Sequence, residues 1–311
     1  MSPLWVATRG SPLALRQAEH VRALLQAQEP GLQVELLVLR TTGDRVQDRP
    51  LQDLGGKGLF TKEIEEALLD GRAAIAVHSM KDLPAAGPAG LCIGAVPPRQ
   101  DPRDALLLRP GLRDGGPGLA ALPPGARVGT TSLRRACLLR HLRPDLHIEP
   151  LRGNVDTRLR RLEAGELDAV VLAAAGLIRL GHSARIDAIL PVDELIPAVG
   201  QGALAVQCRS EDAATRARLS ALDHPPSRVA IAAERAFLAQ LEGSCRTPLG
   251  AHAVLADGEL SIQGFVGRPD GSQILRARLC GPPSRAEELG QALARQLLAE
   301  GGEALLRDLG L

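Results

Sequence analysis

Aromatic side chains are nearly missing from this chain: its 311 residues include three Phe, one Trp and no Tyr, and 37 basic residues are balanced by 36 acidic ones. Extended nucleic-acid binding, which stacks bases on aromatic rings within a strong basic excess, is therefore disfavoured. No stretch reaches the roughly 18 uncharged apolar residues of a membrane span. The start, Met1 to Arg9, has no basic region followed by an apolar run. The five cysteines, at 92, 137, 208, 245 and 280, lack CxxC spacing. No metal site is expected from them, and an odd, unpatterned set suits a reducing compartment, so the chain reads as cytoplasmic. Lysine is scarce too: only Lys57, Lys62 and Lys81, all in one short stretch, are not arginine. A compact charge whose pKa shifts readily is not replaced by a guanidinium, which singles out that stretch.

What is present is globular. Hydrophobic residues make up 45% and charged residues 23%, and the length suits two or three domains of about 100–150 residues. Apolar runs of strand length at Leu4–Thr8, Val34–Leu39, Ala74–His78 and Cys92–Val96 alternate with helical stretches at Pro12–Gln28 and Thr61–Leu69. The alternation predicts a mainly parallel, doubly wound sheet. After the Pro-rich segment 97–102 the pattern restarts, with strands near Ala105–Leu108, Arg127–Thr131, His147–Leu151 and Ala169–Ala173 and helices at Ser132–Leu142, Val155–Ala164 and Ala174–Leu180. Pro197 to Gly202 turns the chain again, and Ala203–Cys208 reads as a strand rejoining the first sheet. Two crossings of this kind predict two α/β lobes around a hinged cleft. A helix at Ser227–Leu241, three strands separated by Asp257-Gly258 and Pro269-Asp270-Gly271, and a helix at Ala286–Ala299 predict a small α+β domain. The expected domains are 1–101 with 202–221, 102–201, and 222–311.

In doubly wound sheets, ligands bind beyond the carboxyl ends of the strands. Every such end here carries a basic residue: Arg9, Lys81, Arg134 with Arg135, and Arg152 with Arg158. Ser132 is a helix N-cap candidate, and two arginines in the first turn behind it oppose the helix dipole unless an anion compensates them. The expected ligand is a small polyanion held by guanidiniums and backbone N–H groups. Gly55-Gly56-Lys57-Gly58-Leu59-Phe60 lacks the Ser or Thr of a nucleotide loop and reads as a glycine-rich flap carrying Lys57 and Phe60. Asp82 is a single carboxylate among cations, suited to proton transfer or to stabilising a developing cation. Cys245, in the polar turn Gly243-Ser244-Cys245-Arg246, differs from cysteines with apolar neighbours and is the candidate nucleophile or tether.

Taken in order, the segments Ala7-Thr8-Arg9-Gly10-Ser11-Pro12, Gly55-Gly56-Lys57-Gly58-Leu59-Phe60, His78-Ser79-Met80-Lys81-Asp82, Asp101-Pro102-Arg103-Asp104-Ala105, Ser132-Leu133-Arg134-Arg135, Leu151-Arg152-Gly153-Asn154, Pro197-Ala198-Val199-Gly200-Gln201-Gly202 and Gly243-Ser244-Cys245 make the chain similar, nearly end to end, to the porphobilinogen deaminases. The resemblance implies an α/β fold of two doubly wound, periplasmic-binding-protein-like lobes around a cleft plus a small α+β C-terminal domain. It implies a transferase that adds four porphobilinogens head to tail, with loss of ammonia, to a dipyrromethane cofactor joined by a thioether to Cys245, and releases linear hydroxymethylbilane by hydrolysis.

The resemblance also implies residue roles. Asp82 would be catalytic; Cys245, Lys81, Asp82, Thr131, Ser132, Arg134, Arg135, Arg152 and Gly153 would bind the cofactor; Arg9, Ser11, Arg158, Arg179, Phe60 and Gln201 would bind substrate. It implies a monomer without metal, nucleic-acid or membrane partners. Three positions depart from the family pattern: Asp53 where some relatives carry lysine, Ser244 where glycine is common, and Ile178 where a basic residue often precedes Arg179. The competing reading is a non-enzymatic two-lobe binder of small anions, which would need neither Asp82 nor a loop cysteine.

Overall fold

The computed structural model describes residues 3–45, 60–113, 116–241 and 247–308. The chain opens with β1 (Leu4–Arg9), α1 (Pro12–Gln28), β2 (Val34–Leu39), α2 (Thr42–Arg45), α3 (Lys62–Leu69), β3 (Ile75–Ser79) and β4 (Leu91–Ala95). It continues with β5 (Asp104–Leu108), β6 (Arg127–Gly129), α4 (Leu133–Leu142), β7 (His147–Glu149), α5 (Val155–Glu163), β8 (Ala169–Ala173), α6 (Ala174–Arg179) and β9 (Ala188–Leu190). Then follow β10 (Leu204–Arg209), α7 (Ala213–Ser220), α8 (Pro225–Gln240), β11 (Leu249–Ala256), β12 (Glu259–Gly267), β13 (Ile274–Gly281), α9 (Ala286–Leu297) and α10 (Glu303–Asp308). Contacts divide it into two compact units, Met1–Gln100 with Ala203–Arg228 and Asp101–Gly202 with Val229–Leu311.

The first unit is built on a sheet of order β2-β1-β3-β10-β4, in which β10 alone runs antiparallel. Period-two alternation sends successive residues to opposite faces. Val6, Ile75 and Val77 therefore pack with Ala18, Val21 and Leu25 of α1, while Ala7 and Ala76 meet Ile64 and Leu68 of α3. Helix α1 starts where it does because Ser11 caps it, its side chain accepting from the Ala14 N–H, and Pro12 occupies the first turn, where its missing N–H costs nothing.

The second unit repeats the plan with order β7-β6-β8-β5-β9, and again the antiparallel strand, β5, sits between β8 and the far edge. Leu106, Val128 and Val171 pack on one face with Leu138 and Leu139 of α4. Leu107, Val170 and Leu172 pack on the other with Leu159 and Leu162 of α5. In both sheets the antiparallel strand is the one that follows a crossing of the chain, at 101–103 or at 202–203.

The meander β11-β12-β13 covers its own core, centred on the fully buried Phe237 of α8 and Leu293 and Leu297 of α9. Within the second unit this layer is fastened to the five-stranded lobe. Phe265 of β12 is fully buried in the α4 core, Gly267 abuts the Cys137 sulfur where a Cβ would come within 2.5 Å, and Arg140 Nη1 donates to the Pro269 carbonyl at 2.8 Å. Burying a side chain the size of Phe265 contributes about 1.5–3 kcal/mol.

Candidate functional site

In the first unit, β1 ends on Arg9 and β3 ends on Ser79, so both strands deliver their last residues to the same edge. One 3₁₀ turn, Met80–Asp82, follows β3; it buries Met80 and exposes Lys81 and Asp82. Arg9, Ser11, Gln17, Phe60, His78 and Asp82 line one pocket. The Arg9 guanidinium lies 4.1 Å above the Phe60 ring, a cation–π contact that fixes both. Gln17 Nε2 donates to Ser79 Oγ at 2.7 Å and ties α1 to the end of β3.

His78 is buried beneath this pocket, with Nε2 3.2 Å from Gln207 Oε1. The amide oxygen only accepts, so Nε2 carries the proton and the ring is the neutral tautomer. Burial holds its pKa down at about 4, with the Arg9 charge acting in the same direction and the Gln207 bond opposing it. The structure thus brings together Arg9, Ser11, Phe60 and Asp82, with Lys81 adjacent. Lys62 lies instead on an exposed helix face, 4.0 Å from Glu66, an ordinary surface pair.

In the second unit, Ser132 caps α4, its Oγ accepting from the Arg135 N–H at 3.4 Å. The two arginines behind the cap are buried, and the anion that compensates them is within the chain. Asp104, the first residue of β5, is fully buried. Arg134 Nη2 donates to its Oδ2 at 2.7 Å, and Arg135 donates to its Oδ1 from Nε and Nη2. Burial alone would raise this carboxyl, but the charges of Arg134 and Arg135 outweigh it and hold Asp104 well below the usual carboxylate range. Gln201 Nε2 completes the shell, donating to Asp104 Oδ1 at 2.9 Å and to the Pro102 carbonyl at 2.7 Å.

Around this core stand cations that no described carboxylate neutralises. Arg158, on α5 behind the Asn154 cap, donates from Nε to the Gly153 carbonyl at 2.9 Å. Burial, then the neighbouring Arg135 charge, brings it down to about 10. Arg179 donates from Nη2 to the Gly202 carbonyl at 2.6 Å, and burial brings it too down to about 10. Gly153 is required where it stands: its φ is +103°, and a Cβ would come within 2.8 Å of Thr157. Thr131 Oγ1 donates to the Leu151 carbonyl at 3.4 Å, joining the end of β6 to the loop that carries half-buried Arg152.

The structure therefore collects Thr131, Ser132, Arg134, Arg135, Gly153, Arg158 and Gln201 into one region and places Arg179 against the turn that follows Gln201. Sequence reasoning missed Asp104 and the buried His78 and Gln17. A carboxylate heading an otherwise apolar strand was the one available signal for Asp104. Lys57, Asp53, Ser244 and Cys245 lie outside the described residues.

The fit to a polycarboxylate ligand rests on the donor set. Arg134 Nε is buried with no hydrogen-bond partner among the described residues, and the half-buried guanidiniums of Arg158 and Arg179 have no carboxylate partner among the described residues. A buried donor such as Arg134 Nε is costly unless an acceptor arrives. The fold is thus two α/β units, the first presenting exposed Asp82 after a strand end and the second gathering arginines around buried Asp104. Residues 4–217 match the family described as porphobilinogen deaminase, dipyromethane cofactor binding domain, and residues 229–299 match the porphobilinogen deaminase C-terminal domain. The porphobilinogen deaminase of Syntrophobacter fumaroxidans is 49% identical over 304 residues, which is 98% of this chain and 97% of that protein. Among solved structures, the VFT2 domain of BvgS from Bordetella pertussis is 17% identical with a TM-score of 0.41, covering 71% of this chain and 86% of that one. A probable amino-acid ABC transporter extracellular-binding protein from Bacillus subtilis is 11% identical with a TM-score of 0.40, covering 71% and 89%. The chain belongs to the porphobilinogen deaminase family.

Proposed function

We infer that this chain is a transferase that condenses four porphobilinogen molecules head to tail, with loss of ammonia, and releases linear hydroxymethylbilane by hydrolysis. The observation that carries the reading is the arginine set of the second unit: Arg134 and Arg135 are buried on Asp104 with Arg134 Nε left over, and half-buried Arg158 and Arg179 have no carboxylate partner among the described residues. Porphobilinogen bears two carboxylates on each ring, the anions such a set is short of.

The dipyrromethane cofactor supplies the pyrrole end on which the product chain is built. Arg134, Arg135, Arg152 and Lys81, with the hydroxyls and backbone at Thr131, Ser132 and Gly153, are the residues proposed to hold its carboxylates, and Cys245 the residue that tethers it by a thioether. Arg9, Ser11, Arg158, Arg179 and Gln201 are assigned to the incoming porphobilinogen, with Phe60 packed on Arg9 at the edge of the pocket. Asp82 accepts the hydrogen bond of the substrate's ring N–H. As ammonia departs, positive charge develops on that ring, and a fixed carboxylate stabilises it more than it stabilises the bound ground state. The neutral imidazole of His78 underlies this pocket without adding a charge that would oppose the developing cation. We assign the activity to a cytoplasmic monomer acting without nucleic acid, membrane or metal.

Among the described residues no helix is long and apolar enough to cross a membrane. An intact-mass spectrum of the purified protein, made in cells that synthesise porphobilinogen, tests the tether. The expected result is one dipyrromethane above the sequence mass, absent in Cys245→Ser. A wild-type spectrum at the bare sequence mass overturns it.

A further inference from the structure

Cys92 of β4 and Cys208 of β10 stand directly opposite each other in an antiparallel pair, their sulfurs 3.8 Å apart. Opposed Cα atoms in such a pair lie about 4.5–5.5 Å apart, inside the roughly 4.4–6.8 Å range that a disulfide spans. Rotation of the side chains is thus enough to bring the sulfurs to bonding distance.

The two thiols have different surroundings. Cys208 is fully buried in the core of the first sheet, beside Gly94, and burial followed by the proximity of Cys92 pushes its thiol up to about 12. Cys92 is half-buried and forms part of the wall of a pocket of about 580 Å³, with Gly94 of the same strand, Arg216 and Ser220 of α7, and Arg228. The pocket shares no residue with the one that holds Arg9 and Asp82. One sulfur can therefore be reached by a small reagent while the other waits behind it, the arrangement of an attacked and a resolving thiol.

We propose that Cys92 and Cys208 are a reversible oxidation site that closes to an intramolecular disulfide when a small hydroperoxide enters this pocket. The Cys92 sulfur attacks the peroxide, the O–O bond breaks, and Cys92 becomes a sulfenic acid while the peroxide leaves as an alcohol, or as water for hydrogen peroxide. The Cys208 sulfur then displaces the sulfenic hydroxyl, which departs as water with the Cys208 proton, and the S–S bond forms. Two thiols lose two electrons, and these reduce the peroxide. A thiol reductant reopens the pair. Cys137 is buried in the second unit and Cys280 is exposed there, so neither belongs to this pair.

The test uses the purified full-length protein, brief exposure to hydrogen peroxide, alkylation of the remaining thiols, and peptide mass mapping without reduction. The expected product is a crosslinked peptide pair containing Cys92 and Cys208, lighter by two hydrogens and released by a thiol reductant. Cys92 should lose its alkylation at least about tenfold faster than Cys137. In Cys208→Ser, Cys92 should instead accumulate as sulfenic or sulfinic acid. Retention of both alkylated thiols in the wild type, overoxidation of Cys92 without the crosslink, or pairing of Cys92 with another cysteine would each overturn the proposal, whether or not the variant folds.

Discussion

Arg135 grips one oxygen of Asp104 with two nitrogens, Nε at 3.1 Å and Nη2 at 2.7 Å, while Arg134 holds the other oxygen at 2.7 Å. All three groups are buried. Asp104→Asn preserves the shape and removes the charge, leaving two guanidiniums without an anion. Breaking a buried pair from one side costs about 3–5 kcal/mol, so urea denaturation at pH 7 should show a loss of that size. Because the folded carboxyl is held below its ordinary value of 3.8, its contribution is complete above that pH and fades as acid protonates it. The gap between wild type and variant should narrow below pH 3.8. A gap that is constant down to pH 2 would mean that charge is not what Asp104 provides.

His78 gives a second, separate pH dependence. Its pKa falls from 6.5 to about 4 on folding, so the unfolded chain binds the extra proton first, and stability is lost as pH drops from 6.5 toward 4. The loss should approach about 3 kcal/mol. His78→Gln removes the titrating group, and its denaturation midpoint should lack that slope between pH 6.5 and 4.

Arginines at the two ends of the second-unit site should fail differently. Arg135→Leu should reduce the fraction of protein that carries the cofactor mass. Arg179→Leu should leave that fraction unchanged and raise KM roughly 10- to 100-fold, the scale of losing about 1.5–3 kcal/mol from one charge-assisted bond. Mass spectrometry and initial-rate kinetics on the same preparations separate the two, and equal cofactor loss in both would merge the sites.

Asp82→Asn, reconstituted with preformed cofactor, should still bind porphobilinogen but elongate at least about a hundredfold more slowly. Near-normal elongation, followed by mass spectrometry, would remove Asp82 from the mechanism.

Much of this architecture was legible in the sequence. Helix Pro12–Gln28 and strands Val34–Leu39 and Ala169–Ala173 stand where periodicity puts them, because each is an apolar pattern closed by local stop signals. Strand Ala188–Leu190 and helix Ala213–Ser220 escaped it: the first has three residues, and the second buries only Thr215 and Leu219. At the site, the arginine pair behind Ser132 announced an anion, and the sequence suggested an external one. That Asp104 fills the role follows from the antiparallel register of β5 on β8, a pairing of distant segments that no local pattern encodes. The same reason hid the meeting of Cys92 with Cys208.

The strand order carries a consequence for synthesis. Among the described residues β4 pairs with β10 alone, so the first sheet lacks its closing strand until residues 204–209 have emerged from the ribosome. The sheet of the second unit needs nothing beyond Leu190. The part of the chain translated later can therefore finish its sheet sooner, and the amino-terminal sheet must wait, with β3 and β4 unjoined, while an entire neighbouring sheet is made.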